Sequence, residues 1–600
     1  MTDLTLSPEQ TRAVASHSKA IVVVAGAGTG KTELLAHRIE RILRESKDEG
    51  FRVVAVSYTV KAADELRERL GLRLGDLHKR VDADTIHGFA LTLLRQYGSR
   101  IGLPIEPEVL SRDEDRVVLL DAWLQQSGQD WGGDPLEVLA AIDLARAQCT
   151  AATLLDEWRA ALDAAGALDY AAMLERGAEL AEGAWVARHL ARVYDHVVVD
   201  EAQNLTQAQY RFLTRIVGDP SSDHLNCMLV GDERQSIVGF AGADAGLIAR
   251  FSSEYRAERI ELHTNFRSAR AIAAVGLEVA AALGRPGLGL NATNYSAEGQ
   301  VQLEANATEI EEGRLVASWV SGLLQKGLGE ALVSPGESRF VSAEQVAVLA
   351  RSAASLRFTR DALNELEIDT SMASTPEDWV TSLPGQVVIE LIGHRAAPGH
   401  TSIRRRLGRL CGNPGLDWTE VSALLFGAPD PDLKVLGEAV ASARTPADLV
   451  ELIAIAQLAD LNWEDDIAQL QAAWASFVDV ARVGERTFAN FRQHISRCQR
   501  GDSMGSGVRL LTVHKAQGRE FKAVAVIACN NGQFPDFRAT GDEAQAAELR
   551  TFYVAVTRPS RCLLLTRARQ RSTRFGARPT EPSPFLRWVN QAEQARLLAQ

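Results

Sequence analysis

The residues Gly26-Ala27-Gly28-Thr29-Gly30-Lys31-Thr32 carry the first recognisable chemistry in the chain. Small side chains let backbone N–H groups close around a phosphate, and a helix that starts there adds its positive end. Lys31 would reach the β- and γ-phosphates, and the Thr32 hydroxyl would hold Mg²⁺. The strict pattern asks for glycine where this chain has Ala25. Glu33 and Arg38, in the helix-like run that follows, join the candidate nucleotide set. A phosphate loop that serves hydrolysis also needs a carboxylate at the end of another buried strand. The run HVVVDEAQ supplies two. Asp200 suits the Mg²⁺ shell, and Glu201 suits a base that orients the attacking water. A kinase acting on a small molecule needs no such base, so the pair favours ATP hydrolysis.

These groups need a rigid scaffold. Short apolar runs begin at Ala20, Arg52, His196, Cys227, Arg259, Gln345, Val508, Ala523 and Cys562. They are continuous rather than alternating, as strands covered on both faces are. Helical stretches such as KTELLAHRIERIL and KAADELRERL follow them, which is the rhythm of a doubly wound α/β fold. Residues 96–189 and 375–504 are instead rich in Ala, Leu and Glu, the second stretch with breaks near Pro384, Pro398, Pro414 and Pro429. The expected organisation is a first α/β unit at 1–95 and 190–262 with a helical insertion at 96–189. A second α/β unit follows at 263–374 and 505–600, with a helical insertion at 375–504. GLGEALVSPGESRF, from Gly327, reads as an exposed loop.

Six hundred residues exceed one hydrophobic core. No uninterrupted apolar stretch is long enough for a membrane span, and the first ten residues lack a secretory pattern. Cys149, Cys227, Cys411, Cys498, Cys529 and Cys562 are scattered, which suits reduced thiols in a cytoplasmic protein. The net charge of −13 argues against coating nucleic acid by bulk attraction. A local groove with cations and stacking aromatics can still hold a single strand. Two stretches are locally basic: Ile403 to Arg409, and Arg567, Arg569, Arg571, Arg574 and Arg578. Each reads equally as a solvated face.

The ordered runs AGAGTGKT, VDEAQ, LVGDERQSI, HTNFRS, TVHKAQGREF and YVAVTR resemble the UvrD/Rep/PcrA group of superfamily 1 DNA helicases across nearly the whole chain. The resemblance implies two RecA-like parallel-sheet motor domains, each with a mostly helical inserted subdomain. It implies ATP as substrate with Mg²⁺, single-stranded DNA and duplex junctions as partners, and 3′ to 5′ movement. Gln10 in LSPEQTRAV would read adenine, and Phe266 would stack on it. Gln235 would sense the γ-phosphate, Arg267 and Arg558 would approach it from the second motor half, and Glu520 would lie near the ribose and phosphates. On the DNA side the resemblance points to Tyr58, Thr59, Lys61, His87 and Phe240 in the first half. It points to Thr512, His514 and Lys515 in the second.

The chain departs from the family pattern at Ala241, where an arginine is common, and at Asn204, where DEAQ is followed by aspartate in many relatives. It departs again at Pro559, where a small residue is usual. These departures bear on strand separation and partner contacts rather than on hydrolysis. The leading expectation is an ATP-dependent translocase that unwinds duplex in DNA repair, replication or recombination. The alternatives are an ATPase subunit of a DNA-processing or phage-defence complex whose nuclease is a separate protein, and a nucleotide-gated DNA clamp. Repair proteins and a nuclease are the expected protein partners.

Overall fold

The chain is described here from a computed structural model covering residues 6–599, apart from 47–49, 106, 219, 221–225, 285–290, 293–296, 373–382, 397–400, 411–430, 456–462, 482–483, 485, 501–506 and 574–575. Pro398, Pro414, Pro429, Cys411, Arg574 and the expected boundaries at 374/375 and 504/505 lie outside the described residues.

The valine-rich run at the N-terminus forms strand β1 (Ala20–Ala25), every residue of which is buried. Both of its faces are covered, which is why its sequence shows no alternation. Burying each such Val or Ile contributes roughly 1.5–3 kcal/mol. β2 (Arg52–Ser57), β3 (Val81–Thr85), β4 (Tyr194–Val199), β5 (Cys227–Gly231) and β6 (Glu258–Leu262) complete a sheet in the order β3-β2-β4-β5-β1-β6. All its pairings are parallel. Ile21 and Val23 pack against Leu34, Leu35 and Ile39 of the helix that follows β1. Val22, Val24, Val54 and Val56 belong to a second cluster that continues through Phe89 into Trp158, Leu162 and Met173 of the first insertion. That insertion therefore shares a core with the sheet rather than hanging from it.

The second sheet has seven strands. β7 (Gln300–Thr308), β8 (Val346–Ala350), β9 (Thr370–Met372), β10 (Val508–Thr512), β11 (Phe521–Val526) and β12 (Pro559–Thr573) run in the order β7-β12-β11-β8-β10-β9, again parallel. β13 (Gly576–Pro579) pairs antiparallel with the end of β12. Alternate residues of β8 serve opposite cores: Val346 and Val348 meet Val316 and Val320, whereas Ala347 and Leu349 meet Ile272, Phe552 and Val589. The second insertion packs around its own cluster of Val387, Leu391, Leu407, Leu449 and Phe491. Pro384 marks an element boundary, as expected: it lies in the first turn of helix Leu383–Ala396, where its missing N–H costs no helical bond.

All nine apolar runs read from the sequence are strands. The strands not anticipated are β3, β7, β9 and β13, together with short pairs such as Glu108–Val109 with Ala167–Leu168, which put a trace of sheet into the first insertion. β3, β7 and β9 are edge strands, and β7 has no fully buried residue. An edge strand with one wet face carries no continuous apolar signature.

Candidate nucleotide cleft and DNA-facing surface

The phosphate loop leaves β1 at Ala25 and enters helix α1 (Lys31–Glu45) at Gly30. Gly30 is the N-cap at φ +75°, and no side chain caps the helix, so the first-turn N–H groups face the loop. The loop is held from behind. Thr29 Oγ1 donates to Gly26 O (2.9 Å), and Gln10 Nε2 donates to Thr29 O (2.9 Å). The Gln10 amide oxygen accepts from the Ser7 N–H at 2.8 Å, closing a capping box. The Gln10 amide thus holds the loop through its nitrogen and caps helix Pro8–Ala15 through its oxygen.

Lys31 Nζ lies 3.7 Å from Glu201 Oε1 and 3.4 Å from Ala25 O. Asp200 and Glu201 follow β4 directly. Glu201 adopts φ +51°, a left-handed conformation that side chains disfavour, and its N–H is received by Asp200 Oδ1 at 2.9 Å. Gln203 braces the turn: its amide donates to Glu201, and its oxygen accepts from the Asp232 N–H (3.0 Å). Burial, with the Glu201 charge beside it, pushes the Asp200 carboxyl above the usual carboxylate range.

The second sheet contributes the opposite wall. Asn265 Oδ1 accepts from the N–H groups of Arg267 (2.8 Å) and Ser268 (3.0 Å), forming a tight turn. The Phe266 N–H donates to Gly28 O (2.7 Å), which lays this turn on the phosphate loop. Arg267 pairs with Glu520 at 2.5 Å. Arg558 is buried and reaches across the seam, donating to Gln235 Oε1 at 3.2 Å and to Arg519 O at 3.1 Å. Burial, helped by the Arg267 charge, pulls Arg558 down to about 10. Gln235 is also held by Asp232 Oδ2 (2.9 Å), so it touches both halves.

The outcome is one cleft of about 820 Å³, lined by Lys31, Thr32, Asp200, Glu201, Gln235, Phe266, Arg267, Glu520 and Arg558 among others. Gly26, Ala27, Gly28, Thr29, Gly30 and Glu33 line it too. Ala25 ends β1 immediately behind it. Glu33 also pairs with His37 (3.1 Å) and Arg73 (3.3 Å). Thr32 and Asp200 present hard oxygen donors in the same cleft, a set that suits Mg²⁺ completed by phosphates and water.

Arg38 is a correction. It is buried two turns along α1, where its guanidinium donates to the carbonyls of Ala13 (2.8 Å) and Ser16 (2.9 Å). It satisfies the C-terminal carbonyls of helix Pro8–Ala15 and does not line the cleft.

The DNA candidates fall in separate places. Tyr58, Thr59 and Lys61 line the edge of the nucleotide cleft. The Thr59 hydroxyl caps helix α2 (Val60–Leu74) by accepting from the Ala62 N–H, and Lys61 lies 3.6 Å from Glu65. His87 packs edge-on to Tyr170 of the first insertion, ring centroids 5.6 Å apart. Phe240 is exposed and sits edge-on to His514 at 5.6 Å. Thr512 closes β10, and Lys515 shares a short helical turn with His514. Of the basic stretches, Arg406 and Arg571 point into ion pairs, with Glu390 and Glu312 respectively.

Gln517, inside the TVHKAQGREF run but given no role there, donates to Gln235 O (3.0 Å) and Asn204 Oδ1 (3.4 Å) across the seam. Nor did they mark Arg561, which donates to Arg267 O (2.9 Å) while paired with Glu337 (2.8 Å). Asn204 was noted only as a departure; its side chain is one of these seam contacts. Only its position directly after DEAQ could have drawn attention to it.

Comparison with known proteins agrees with this geometry. The UvrD/REP helicase N-terminal domain matches residues 6–137 and 134–256, and the UvrD-like helicase C-terminal domain matches residues 458–570. The chain is 27% identical to "ATP-dependent DNA helicase UvrD1" of Mycobacterium tuberculosis, covering 98% of this chain and 85% of that protein. It is 26% identical to "DNA helicase II" of Escherichia coli, over 94% of this chain and 85% of the relative. It is 24% identical to "ATP-dependent DNA helicase PcrA" of Staphylococcus aureus, over 98% and 86%.

Proposed function

Since the chain belongs to the UvrD/REP helicase family, we propose that it is an ATP-dependent DNA helicase that moves 3′ to 5′ on single-stranded DNA and unwinds the duplex ahead of it. One observation carries this reading: Lys31 and Glu201 from one α/β half and Arg267 and Arg558 from the other line a single cleft. A nucleotide in that cleft touches both halves, so its presence favours closure and its hydrolysis releases it.

The chemistry follows from the side chains. Lys31 lies against Glu201 and would turn to the β/γ-phosphates, freeing that carboxylate to orient a water. Arg267, paired with Glu520, and Arg558 would offset the charge that builds on the transferring phosphoryl group. Such an arginine typically raises the rate ~10³–10⁵-fold. Mg²⁺ held by Thr32 and Asp200 would neutralise charge between the phosphates. Gln235 bonds Asp232 on one side and Arg558 on the other, so the state of the phosphates is felt in both sheets. A strand lying across both halves would be gripped alternately as the cleft opens and closes, a role for which DNA repair, replication and recombination all offer substrates.

The test is strand displacement from duplexes with a 3′ or a 5′ overhang, with ATP and Mg²⁺. Displacement from the 3′-tailed substrate is expected. Hydrolysis without displacement from either substrate would overturn the helicase reading in favour of a clamp. Lys31→Ala is expected to lose turnover with an unchanged melting temperature.

A further inference from the structure

β2 and β4 run side by side and parallel, with Val56 abreast of Val199. The Asp200 N–H donates to Val56 O at 2.9 Å. In a parallel pair that bond carries the register one step further and sets Ser57 abreast of Asp200. Alternation along the strands decides which side each residue faces. Val54, Val56, Val197 and Val199 enter the core shared with the first insertion. Val53, Ala55 and Val198 enter the opposite core, with Leu34 and Leu35 of α1. Ser57 and Asp200 continue the second set, two residues beyond Ala55 and Val198. Both therefore lie on the side where α1 begins with Lys31 and Thr32.

Ser57 ends β2 as a polar residue among buried apolar ones. It is 1% exposed, and its Oγ has no hydrogen-bond partner among the described residues. A buried hydroxyl with nothing to bond destabilises a fold, so its place here calls for a use elsewhere in the working cycle. The polar groups around it are already engaged. Thr29 Oγ1 bonds Gly26 O, the Gln203 amide bonds Glu201, and Thr59 Oγ1 caps α2. Asp200 is held on one side only, where its Oδ1 accepts from the Glu201 N–H at 2.9 Å. Neighbouring strands stand ~4.8 Å apart. A serine oxygen one bond beyond Cβ and an aspartate oxygen two bonds beyond it meet across that gap after a turn about χ1.

We propose that Ser57 is a positioning residue for the metal-binding carboxylate: its hydroxyl donates to Asp200 from the neighbouring strand and fixes which oxygen is offered to Mg²⁺. This rests on the reading of the cleft as an Mg²⁺–nucleotide site. A ligating carboxylate held by a second hydrogen bond keeps its orientation. Loss of such a support typically lowers metal affinity by about 10–100-fold.

The probe is mant-ADP, a fluorescent nucleotide, bound to the full chain without DNA while Mg²⁺ is titrated. The readout is metal-dependent binding, not turnover. Ser57→Ala is expected to raise the half-saturating Mg²⁺ concentration about 10–100-fold, with binding in EDTA unchanged. Its melting temperature without nucleotide should be at or above the wild-type value, because the hydroxyl removed has no partner there. Ser57→Thr keeps the hydroxyl and should restore the wild-type Mg²⁺ dependence. An unchanged Mg²⁺ dependence in Ser57→Ala overturns the proposal. So does a Ser57→Thr variant as impaired as Ser57→Ala, which would make side-chain volume the cause. A melting temperature well below wild type in Ser57→Ala would mean that the hydroxyl supports the fold, and equally overturns it. Failure of the wild-type protein to bind mant-ADP in an Mg²⁺-dependent way overturns the reading of the cleft itself, a distinct result.

Discussion

Glu201 holds a backbone conformation, φ +51°, that costs a non-glycine residue ~1–3 kcal/mol and persists only where neighbours impose it. Gln203, Asp200 and Lys31 impose it here, and the carboxylate consequently faces the phosphate loop. Glu201→Gln keeps the shape and removes the base. The expected result is a fall of about 10²–10⁴-fold in kcat with little change in nucleotide affinity, read by single-turnover hydrolysis alongside equilibrium binding. Arg38 shows the limit of reading residues by proximity in sequence. It follows Lys31 by seven residues, two helical turns that keep the same face but carry it roughly 10 Å along α1, away from the phosphates. A second residue there carries a pH prediction. His196, edge-on to Phe51, is brought down to about 3 by burial and by the charges of Arg38 and Arg41. Its folded value lies below the unfolded 6.5. Below pH 6.5 the unfolded chain accepts a proton that the folded chain refuses, so stability holds above that pH and falls as pH drops. His196→Gln should lessen the decline in melting free energy between pH 7 and 5, by at most about 1.4 kcal/mol per pH unit.

At the scale of elements, the decisive contact is one turn laid on another. Gly28 sits at φ +76°, and a Cβ there would stand 2.4 Å from Asn265 Oδ1 and 2.8 Å from Arg267 Cβ. Glycine is required both for the conformation and for the approach of the second wall. Gly28→Ala should force the Asn265–Arg267 turn away from the loop. Since that turn carries Phe266 and Arg267, kcat/KM for ATP should fall by more than an order of magnitude, with kcat affected as well as KM. An unchanged kcat with only KM raised would mean that the turn matters for binding alone. The sheets were legible because strands buried on both faces write continuous apolar runs. β7 was not, because no residue of this edge strand is fully buried and polar side chains interrupt its run. The ordered motifs gave the residues of the cleft. They contained Gln517 without a role and passed over Arg561, since the value of each lies in a partner far away in the chain, Gln235 and Arg267.

At the scale of the molecule, the two helical insertions differ in how they are fastened. The first shares an apolar core with its sheet, whereas the second has a core of its own. Its described link to the first insertion is a buried charge cluster. Glu390, wholly buried, receives Arg406 at 2.9 Å and Arg492 at 3.4 Å from its own insertion. It also receives Arg112 at 3.3 Å from the first insertion, and Arg406 pairs back to Asp115 there. Three guanidinium groups thus converge on one carboxylate, with Asp115 as the second anion. Removing one partner of such a cluster leaves buried charge uncompensated, at a cost of about 3–5 kcal/mol. Glu390→Ala should therefore loosen the union of the insertions more than the core of either. An insertion with its own core can melt as its own unit once that union weakens. The expected calorimetric trace is an early transition split from the main one, against a more cooperative wild type. A single transition displaced as a whole would instead mean that the insertions melt together without this cluster. Glu390→Gln, which keeps the shape and hydrogen-bonding capacity but not the charge, should fall between the two, because the guanidinium groups keep an acceptor while losing their anion.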